Sequence, residues 1–180
     1  MDEDDARLAQ AAARREPKAQ EAIVRAHYEW LHRCAWHLCR NHSDAQDLAQ
    51  RTFLKGFRHM GRFDGRGSLR SWLAGILFHE ASHLRRARRV FGDLKSAVLP
   101  DPSGRILERE ILLDAIHGLS MKLKETFILV ELNELTIAEA ALSLGVPEGT
   151  IKSRLSEARS KLRQQLEAGQ PSPQEVRSGS

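Results

Sequence analysis

Residues 135–166 read LTIAEAALSLGVPEGTIKSRLSEARSKLRQQL, a pattern with few structural solutions. Thr136 with Glu139 three positions later is a capping box, which marks the start of a helix. Gly145 can take the left-handed conformation that ends a helix, and Pro147 suits the first turn of the next one. Apolar residues recur at helical spacing through both segments. Two helices joined by so short a glycine-containing turn predict a helix-turn-helix.

The second helix of this pair carries polar and charged side chains beside its apolar stripe. Arginine and lysine can donate to guanine edges or phosphates, and glutamate can accept from cytosine N4. In a helix-turn-helix such residues enter the major groove near the N-terminal end of the second helix. An ordinary solvated amphipathic helix is the alternative interpretation. The candidate DNA-binding residues are Thr150, Lys152, Ser153, Arg154, Glu157 and Arg159.

Helical spacing also dominates the rest of the chain, and strand signals are nearly absent. A long helix is predicted over residues 44–59, begun by a capping box of Ser43 and Gln46. The glycine-rich segment 59–68 predicts a loop, after which Ser68 can cap the next helix. Two further helices are predicted from apolar residues at these positions: Ile111, Leu112, Ala115, Ile116, Leu119, Leu123, Phe127, Ile128, Val130 and Leu132.

Residues 92–105 carry two prolines and two glycines with little periodicity, which predicts a linker. The predicted fold class is therefore all-α, with two small helical domains joined by a flexible linker, the C-terminal one a helix-turn-helix. The polar tail is expected to be disordered. The predicted organisation is an N-terminal segment with a short helix over 1–18, a domain over 19–91, the linker over 92–107, a domain over 108–167 and the tail over 168–180.

The net charge of +4 is unevenly distributed along the chain. Residues 51–90 hold 10 Lys and Arg against 2 Asp and Glu, and residues 151–180 hold 6 against 3. The intervening residues 91–150 hold 5 against 10. A single basic run fits a solvated face as well as a binding site. Two basic patches on predicted helices favour a polyanion partner.

The sequence also indicates where in the cell the protein is expected to be found. The N-terminal sequence MDEDDARLAQ is acidic and polar, so we do not expect it to be a signal peptide. No apolar run approaches the roughly 18–20 residues of a membrane helix. Two cysteines, Cys34 and Cys39, cannot form a disulfide framework. We expect a soluble cytoplasmic protein without membrane insertion.

Two clusters resemble metal sites. His79, Glu80 and His83 match H-E-x-x-H, the zinc signature of many metalloproteases. A catalytic zinc needs a third protein ligand, and no H-E-x-x-H-x-x-G-x-x-H extension follows. Glu108 and Glu110 lie beyond the predicted linker, and the four nearby arginines disfavour a dication. The sequence therefore predicts no metal at this motif and no cofactor.

The second cluster lies in the sequence HRCAWHLCRNH. The potential ligands in this sequence are spaced so that successive ones do not lie together on one helix face. Cys34 falls on the apolar stripe, where a reduced cysteine behaves as a small apolar residue. Metal binding or redox sensing by this cluster stays an open alternative. Its members are His32, Cys34, His37, Cys39 and His42.

Taken in order, four sequence strings resemble the extracytoplasmic-function (ECF) group of bacterial sigma factors. They are DAQDLAQRTFLKGF, RFDGRGSLRSWL, HLRRARR and GVPEGTIKSRLSEARSKLR. The resemblance covers roughly residues 6–166. It implies that the domain at 19–91 corresponds to sigma region 2, which binds core RNA polymerase and the −10 element. The domain at 108–167 then corresponds to region 4, which reads the −35 element.

Under this resemblance the chain directs promoter-specific transcription initiation and is not itself an enzyme. Its implied partners are core RNA polymerase, promoter DNA and an anti-sigma factor. The expected polymerase-binding residues are Asp47, Gln50, Arg51 and Leu54. The expected −10 residues are Arg62, Phe63, Asp64, Arg66, Ser68, Arg70, His79, His83, Arg85 and Arg86.

The chain departs from the family pattern at several of these positions. Arg51 stands where the family usually has glutamate, and a basic residue is common where Glu157 stands. Phe78 and His79 replace the usual Arg-Asn, and His83 replaces aspartate. Phe63 fits a core plug under the loop as well as a platform for an unpaired base. Two alternatives to a sigma factor are a helix-turn-helix regulator that is not a polymerase subunit, and a zinc hydrolase.

Overall fold

The computed structural model describes residues 3–91 and 105–168, with side chains described for 5–85 and 110–167. Within these ranges the chain is helical and contains no strand, which confirms the all-α prediction. A 3₁₀ turn at Met60–Arg62 and a π-helical turn at Ile128–Leu132 complete the elements. The α-helices are α1 (Glu3–Ala13), α2 (Pro17–Cys39), α3 (His42–His59), α4 (Leu69–Phe91), α5 (Arg105–Gly118), α6 (Met121–Phe127), α7 (Ile137–Leu144) and α8 (Glu148–Ala168).

The α2–α3 corner is built by two adjacent polar residues. Arg40 adopts the left-handed conformation (φ 51°) and ends α2. Asn41 then caps α3, because its side-chain oxygen accepts a hydrogen bond from the backbone N–H of Asp44 at 3.0 Å. The predicted capping box of Ser43 and Gln46 is therefore wrong. Asn41 satisfies the first turn of a helix that begins earlier than the spacing had indicated.

The inner face of α3 follows the predicted stripe. Leu48 and Thr52 are completely buried, and the Thr52 hydroxyl donates to the Leu48 carbonyl at 2.7 Å, so this hydroxyl has a hydrogen-bond partner in the core. Gly56 lets α4 approach closely, since a Cβ there would lie 3.2 Å from Leu73 Cδ2. Residues of α3, the following loop and α4 together line a groove at the surface.

Helix α4 begins after a cap that the sequence predicted. The hydroxyl of Ser68 accepts from the Ser71 backbone N–H at 3.2 Å. The carboxylate of Asp5, on α1, accepts from the Leu69 backbone N–H at 3.1 Å. Both bonds satisfy donors that a helix start leaves unpaired.

The C-terminal unit also keeps the predicted helix boundaries. Thr136 and Glu139 form both halves of the capping box, and Gly145 ends α7 at φ 63°. Pro147 lies immediately before α8 rather than in its first turn, and its carbonyl accepts from the backbone N–H of Thr150. This is the helix-turn-helix that the sequence predicted.

Two further details of this unit differ from prediction. Ile111 and Leu112, expected on an inner stripe, are exposed by 46% and 38%. Among the described side chains, Ile116 near the end of α5 and Leu119 just after it are buried and pack with α8. The single helix expected over 123–132 changes to a π-helical turn at Ile128.

The structure describes only the last residues of the predicted linker and the first residue of the predicted tail. Helix α5 begins at Arg105, inside the segment 92–107 that was expected to be linker. Residues 92–104 and 169–180 lie outside the described part of the chain.

The two helical units pack together. Helix α4 lies against α7, and α2 lies against the π-helical turn. Trp30 Nε1 donates to the Asn133 carbonyl at 3.3 Å, and Arg33 Nε donates to the Asn133 side-chain oxygen at the same distance. Buried residues from both units, including Leu31 and Ile128, belong to one hydrophobic cluster. The two domains therefore share a core.

None of the described helices has the length and apolar character needed to cross a membrane.

Replacing Leu48 with alanine should lower the free energy of unfolding by about 2–5 kcal/mol, because the side chain is completely buried. Leu54→Ala is the matched control on the same helix. Leu54 is 60% exposed, so its loss should change stability by less than about 0.5 kcal/mol. Urea unfolding followed by circular dichroism measures both, and equal losses would contradict this assignment of the two faces.

Candidate nucleic-acid interface

Helix α8 is held by a buried stripe, which determines the face it presents. Ile151, Leu155 and Leu162 are buried against the other helices of the C-terminal unit. The opposite face exposes Lys152 and Ser153 near the N-terminal end of the helix. The predicted recognition residues thus lie on one accessible surface, with Thr150 and Arg154 half-buried at its edge.

The charges along this face are partly paired within the domain. Arg159 forms an ion pair with Glu131, which precedes the first helix of the helix-turn-helix. Lys161 pairs with Glu157 one turn away at 2.9 Å. The charge of Arg154 acts on the half-buried Glu125, whose pKa is raised by burial against the pull of Arg85 and Arg154. The two cations with these ion-pair partners, Arg159 and Lys161, lie further along α8 than Lys152.

The loop before α4 forms a second basic surface. Asp64 accepts from the Arg66 backbone N–H at 3.1 Å and from its guanidinium at 2.6 Å. These hydrogen bonds lower the pKa of the Asp64 carboxyl. Gly65 lies between them with φ 71°, a conformation that glycine adopts without steric cost. Asp64 therefore stabilises the conformation of the loop through its hydrogen bonds with Arg66.

Phe63 and Arg70 both lie against tryptophans. The ring of Phe63 meets that of Trp72 edge-on, with centroids 5.8 Å apart, and Phe63 is half-buried. The guanidinium of Arg70 lies 5.6 Å from the Trp30 ring centroid. Arg70 is exposed despite this contact, so its charge stays accessible to a ligand.

A groove of about 590 Å³ joins the loop to α3 and α4. Its floor includes Phe63 and Trp72, and one wall comes from Leu142 and Ser143 of α7. A basic rim and an aromatic floor are the features that single-stranded nucleic acid uses. The titratable side chains that line the groove are the basic Lys55, His59, Arg62, Arg66 and His79, together with the carboxylate of Asp64.

The H-E-x-x-H motif lies on the outer side of α4. The two histidines face each other, with 3.3 Å between the Nε2 atoms of His79 and His83. Lys55 donates to Glu80 at 2.5 Å and lies 3.3 Å from His79 Nδ1. Partial burial opposes ionisation of Glu80, but the hydrogen bond and charge of Lys55 outweigh it and lower the pKa. Because the Glu80 carboxylate is ion-paired with Lys55, it is poorly placed to act as the general base of a zinc hydrolase.

The cysteine and histidine cluster is likewise dispersed. Cys34 is buried in the core, whereas His32 stacks between Tyr28 and His42 on the surface. Among the residues whose side chains are described, no three His, Cys, Asp or Glu groups are placed to hold a metal ion.

The expected polymerase-binding residues share one exposed face of α3. Arg51 donates to Asp47 at 2.8 Å, one turn apart, and Gln50 is exposed beside them. Leu54 extends this polar surface with an exposed apolar side chain. Of the remaining −10 candidates, Arg85 pairs with Glu125 at 3.6 Å, and the side chain of Arg86 lies outside the described residues.

Sequence reasoning missed the residues that join the two units. Ser68 Oγ donates to Glu139 at 2.6 Å, and Ser143 Oγ donates to the Ser71 carbonyl at 2.7 Å. Glu139 was recognised only as a cap of its own helix. Its second partner lies 71 positions away, so no local pattern could reveal it.

These features define a two-unit helical protein with a helix-turn-helix and a second basic surface. Comparison with known families adds the identity of both units: residues 23–90 match Sigma-70 region 2, and residues 109–162 match Sigma-70 region 4. The chain belongs to the ECF family of RNA polymerase sigma factors.

Relatives of known sequence match over most of their length. ECF RNA polymerase sigma factor SigC of Mycobacterium tuberculosis is 33% identical over 162 residues, covering 86% of this chain and 87% of that protein. RNA polymerase sigma factor NccH of Alcaligenes xylosoxydans xylosoxydans is 30% identical over 179 residues, covering 92% and 96%.

Solved structures of similar fold were determined with partner proteins. CnrH in complex with the cytosolic domain of CnrY has a TM-score of 0.74 and 25% identity, covering 92% of this chain and 99% of that one. The sigma factor RpoE of Bartonella quintana in complex with the anti-sigma factor NepR has a TM-score of 0.69 and 29% identity, covering 83% and 98%.

The Cys34 thiol should react at least about a hundredfold more slowly with a disulfide reagent in the folded chain than in urea. Burial raises the pKa of this thiol and also excludes the reagent. Timed reaction of the wild type and Cys34→Ser separates the signal of Cys34 from that of Cys39. Fast native-state reaction of Cys34 would restore the redox-sensing alternative.

Proposed function

We propose that the N-terminal unit binds core RNA polymerase through α3 and engages the −10 element through the loop and α4. The observation that carries this proposal is the groove beside α4, which arginine and lysine side chains line together with the rings of Phe63 and Trp72. Unpaired bases stack on aromatic rings while cations hold the phosphates, so such a groove fits a melted strand. Arg62 and Arg66 are exposed at its mouth.

In the same proposal, α8 reads the −35 element in the major groove. Support comes from the exposure of Lys152 and Ser153 near the start of the helix, where a recognition helix meets base edges. Glu157 and Arg159 lie one to two turns further on and are paired within the domain, which suits them to the edge of the contact.

The chain is proposed to act in the cytoplasm, where core polymerase and promoter DNA are found, and to contribute no catalysis of its own. Polymerase supplies the chemistry of RNA synthesis. An anti-sigma factor is proposed as a further partner, because similar sigma factors were solved with such proteins.

Core-reconstituted transcription on a promoter library is the direct test of this function. The chain should bind core polymerase and support open complexes on a defined promoter set. Tight binding to duplex DNA with no response to core polymerase would favour a regulator outside the polymerase.

Leu54→Ala should weaken binding to core polymerase about tenfold, because a protein contact that buries this leucine contributes roughly 1.5 kcal/mol or more. The matched control is Arg25→Ala, which removes an exposed side chain from α2. Fluorescence titration with core polymerase measures both variants. An unchanged affinity for Leu54→Ala would remove this residue from the polymerase surface.

Arg154→Ala should weaken −35 recognition by roughly 1–3 kcal/mol if the guanidinium binds a base bidentately. Arg163→Ala, an exposed change further along α8, is the control. Holoenzymes carrying each variant can be compared by selection from duplexes randomised at the −35 element. Loss of preference at one base position is expected only for Arg154→Ala, and an unchanged preference would argue against its role.

A further inference from the structure

One turn of α4 brings two histidines together at their Nε2 atoms. The Nε2 atoms of His79 and His83 lie 3.3 Å apart, whereas the ring centroids are separated by 4.4 Å, so the rings converge at these nitrogens. Both side chains are exposed, so the nitrogens are accessible from solvent. Contact with polymerase or with DNA phosphates does not require two imidazole nitrogens to converge in this way.

The separation of the two nitrogens suits a tetrahedral metal ion. Zinc lies about 2.0–2.1 Å from a histidine nitrogen in protein sites. An ion at this distance from both Nε2 atoms would make an N–metal–N angle of about 104–111°, which spans the tetrahedral value. A square-planar ion needs a right angle and nitrogens about 2.9 Å apart, so the observed spacing favours zinc over copper or nickel.

A carboxylate stands beside the other ring nitrogen of His79. Glu80 Oε1 lies 3.6 Å from His79 Nδ1, the nitrogen that does not face His83. Metal-bound histidines usually donate their second N–H to a carboxylate or carbonyl, which leaves the metal-facing nitrogen unprotonated. Lys55 Nζ lies 3.3 Å from the same Nδ1, and its partly exposed side chain has room to move when Nδ1 carries the proton.

The charges near the pair are largely compensated. Lys55 is ion-paired with Glu80 at 2.5 Å, and Arg85 lies 3.6 Å from Glu125. The sequence predicted no metal at this motif because a catalytic zinc needs a third protein ligand. Among the described side chains no third such ligand completes a site. An ion held here would therefore have two protein ligands.

Two protein ligands leave two positions of a tetrahedral ion open. His79 lines the groove that is proposed to hold the melted −10 strand, together with Lys55 and Arg62. Zinc accepts oxygen as well as nitrogen ligands, and phosphoryl oxygens bind protein-held metal ions. A phosphate of the strand in this groove has the chemistry to fill an open position.

We propose that His79 and His83 chelate a zinc ion at the edge of the groove, and that a phosphate of single-stranded DNA takes one of its open positions. The metal site rests on the geometry of the two histidines, whereas the DNA ligand rests on the proposed function. The ion adds positive charge beside Lys55 and Arg62. Binding of the −10 strand then increases with available zinc.

Zinc competition with a chromophoric chelator tests the metal site in the full chain. His79→Gln and His83→Gln should each weaken zinc binding about a hundredfold, because two linked ligands exceed either alone by about this factor. His32→Gln, in the other cluster of histidines, is the control and should leave the zinc affinity unchanged. Cobalt in place of zinc should give the strong visible absorption of a tetrahedral ion, which the first two variants should lose.

Fluorescence anisotropy of a fluorescein-labelled random-sequence single-stranded oligonucleotide tests the DNA ligand. Saturating zinc should tighten binding by the wild type about tenfold, the effect of one charge-assisted contact. His83→Gln should show no gain with zinc, whereas His32→Gln should gain as the wild type does. Magnesium at the same concentration controls for ionic effects and should give no gain, because it prefers oxygen ligands to imidazole.

Equal zinc binding by the wild type, His79→Gln and His83→Gln would overturn the chelate. An affinity gain that survives in His83→Gln would reject DNA as the ligand. Zinc-dependent dimerisation in sedimentation would reject it too, since the histidines of a second copy would then fill the open positions.

Transcription by the wild type from the selected promoter, with core polymerase and no added zinc, tests the proposed function separately. A chain that supports transcription but binds no zinc at this pair rejects the chelate alone. A chain that binds zinc at this pair but neither binds core polymerase nor supports transcription rejects the proposed function and the DNA ligand together.

Discussion

Two glycines determine how closely three helices of this chain approach. At Gly56 the missing side chain lets Leu73 of α4 pack on α3, and at Gly75 it lets α7 lie against α4 backbone to backbone. Close packing of this kind leaves little tolerance for added volume. Helix α4 is therefore fixed on one side by the N-terminal core and on the other by the C-terminal unit. The loop before α4 and the groove beside it take their positions from the same helix.

The chain neutralises much of its own basic surface. Asp64 pairs with Arg66, Glu80 with Lys55 and Glu131 with Arg159, all at or near positions proposed to meet nucleic acid. Most of these pairs are partly exposed, so each contributes little to stability. Their larger effect concerns binding, because a phosphate must replace a carboxylate that is already in place. Affinity for DNA then depends on exchange between anions as well as on the number of arginines.

Local patterns in the sequence predicted local structure well. The capping box at Thr136, the left-handed Gly145 and the stripe of α3 all depend on residues within two turns of one another, and each is confirmed. The prediction at Ser43 was wrong because Asn41 competed for the same role two residues earlier. Ile111 and Leu112 have helical spacing, but spacing alone does not supply a neighbour to cover them. Contacts between the units, such as Trp30 with Asn133, join positions 103 residues apart and have no signature in either segment.

The helices that hold the two units together differ from the helix proposed to read DNA. Hydrogen bonds between the units involve Asp114, Asn133, Glu139 and Ser143, none of which lies on α8. The exposed residues of α8 stand on a helix packed against α5, α6 and α7. Substitutions at Lys152 or Ser153 can therefore accumulate without disturbing the shared core. A lineage built on this arrangement can acquire new promoter preferences by changes on α8 while it inherits its interdomain contact unchanged.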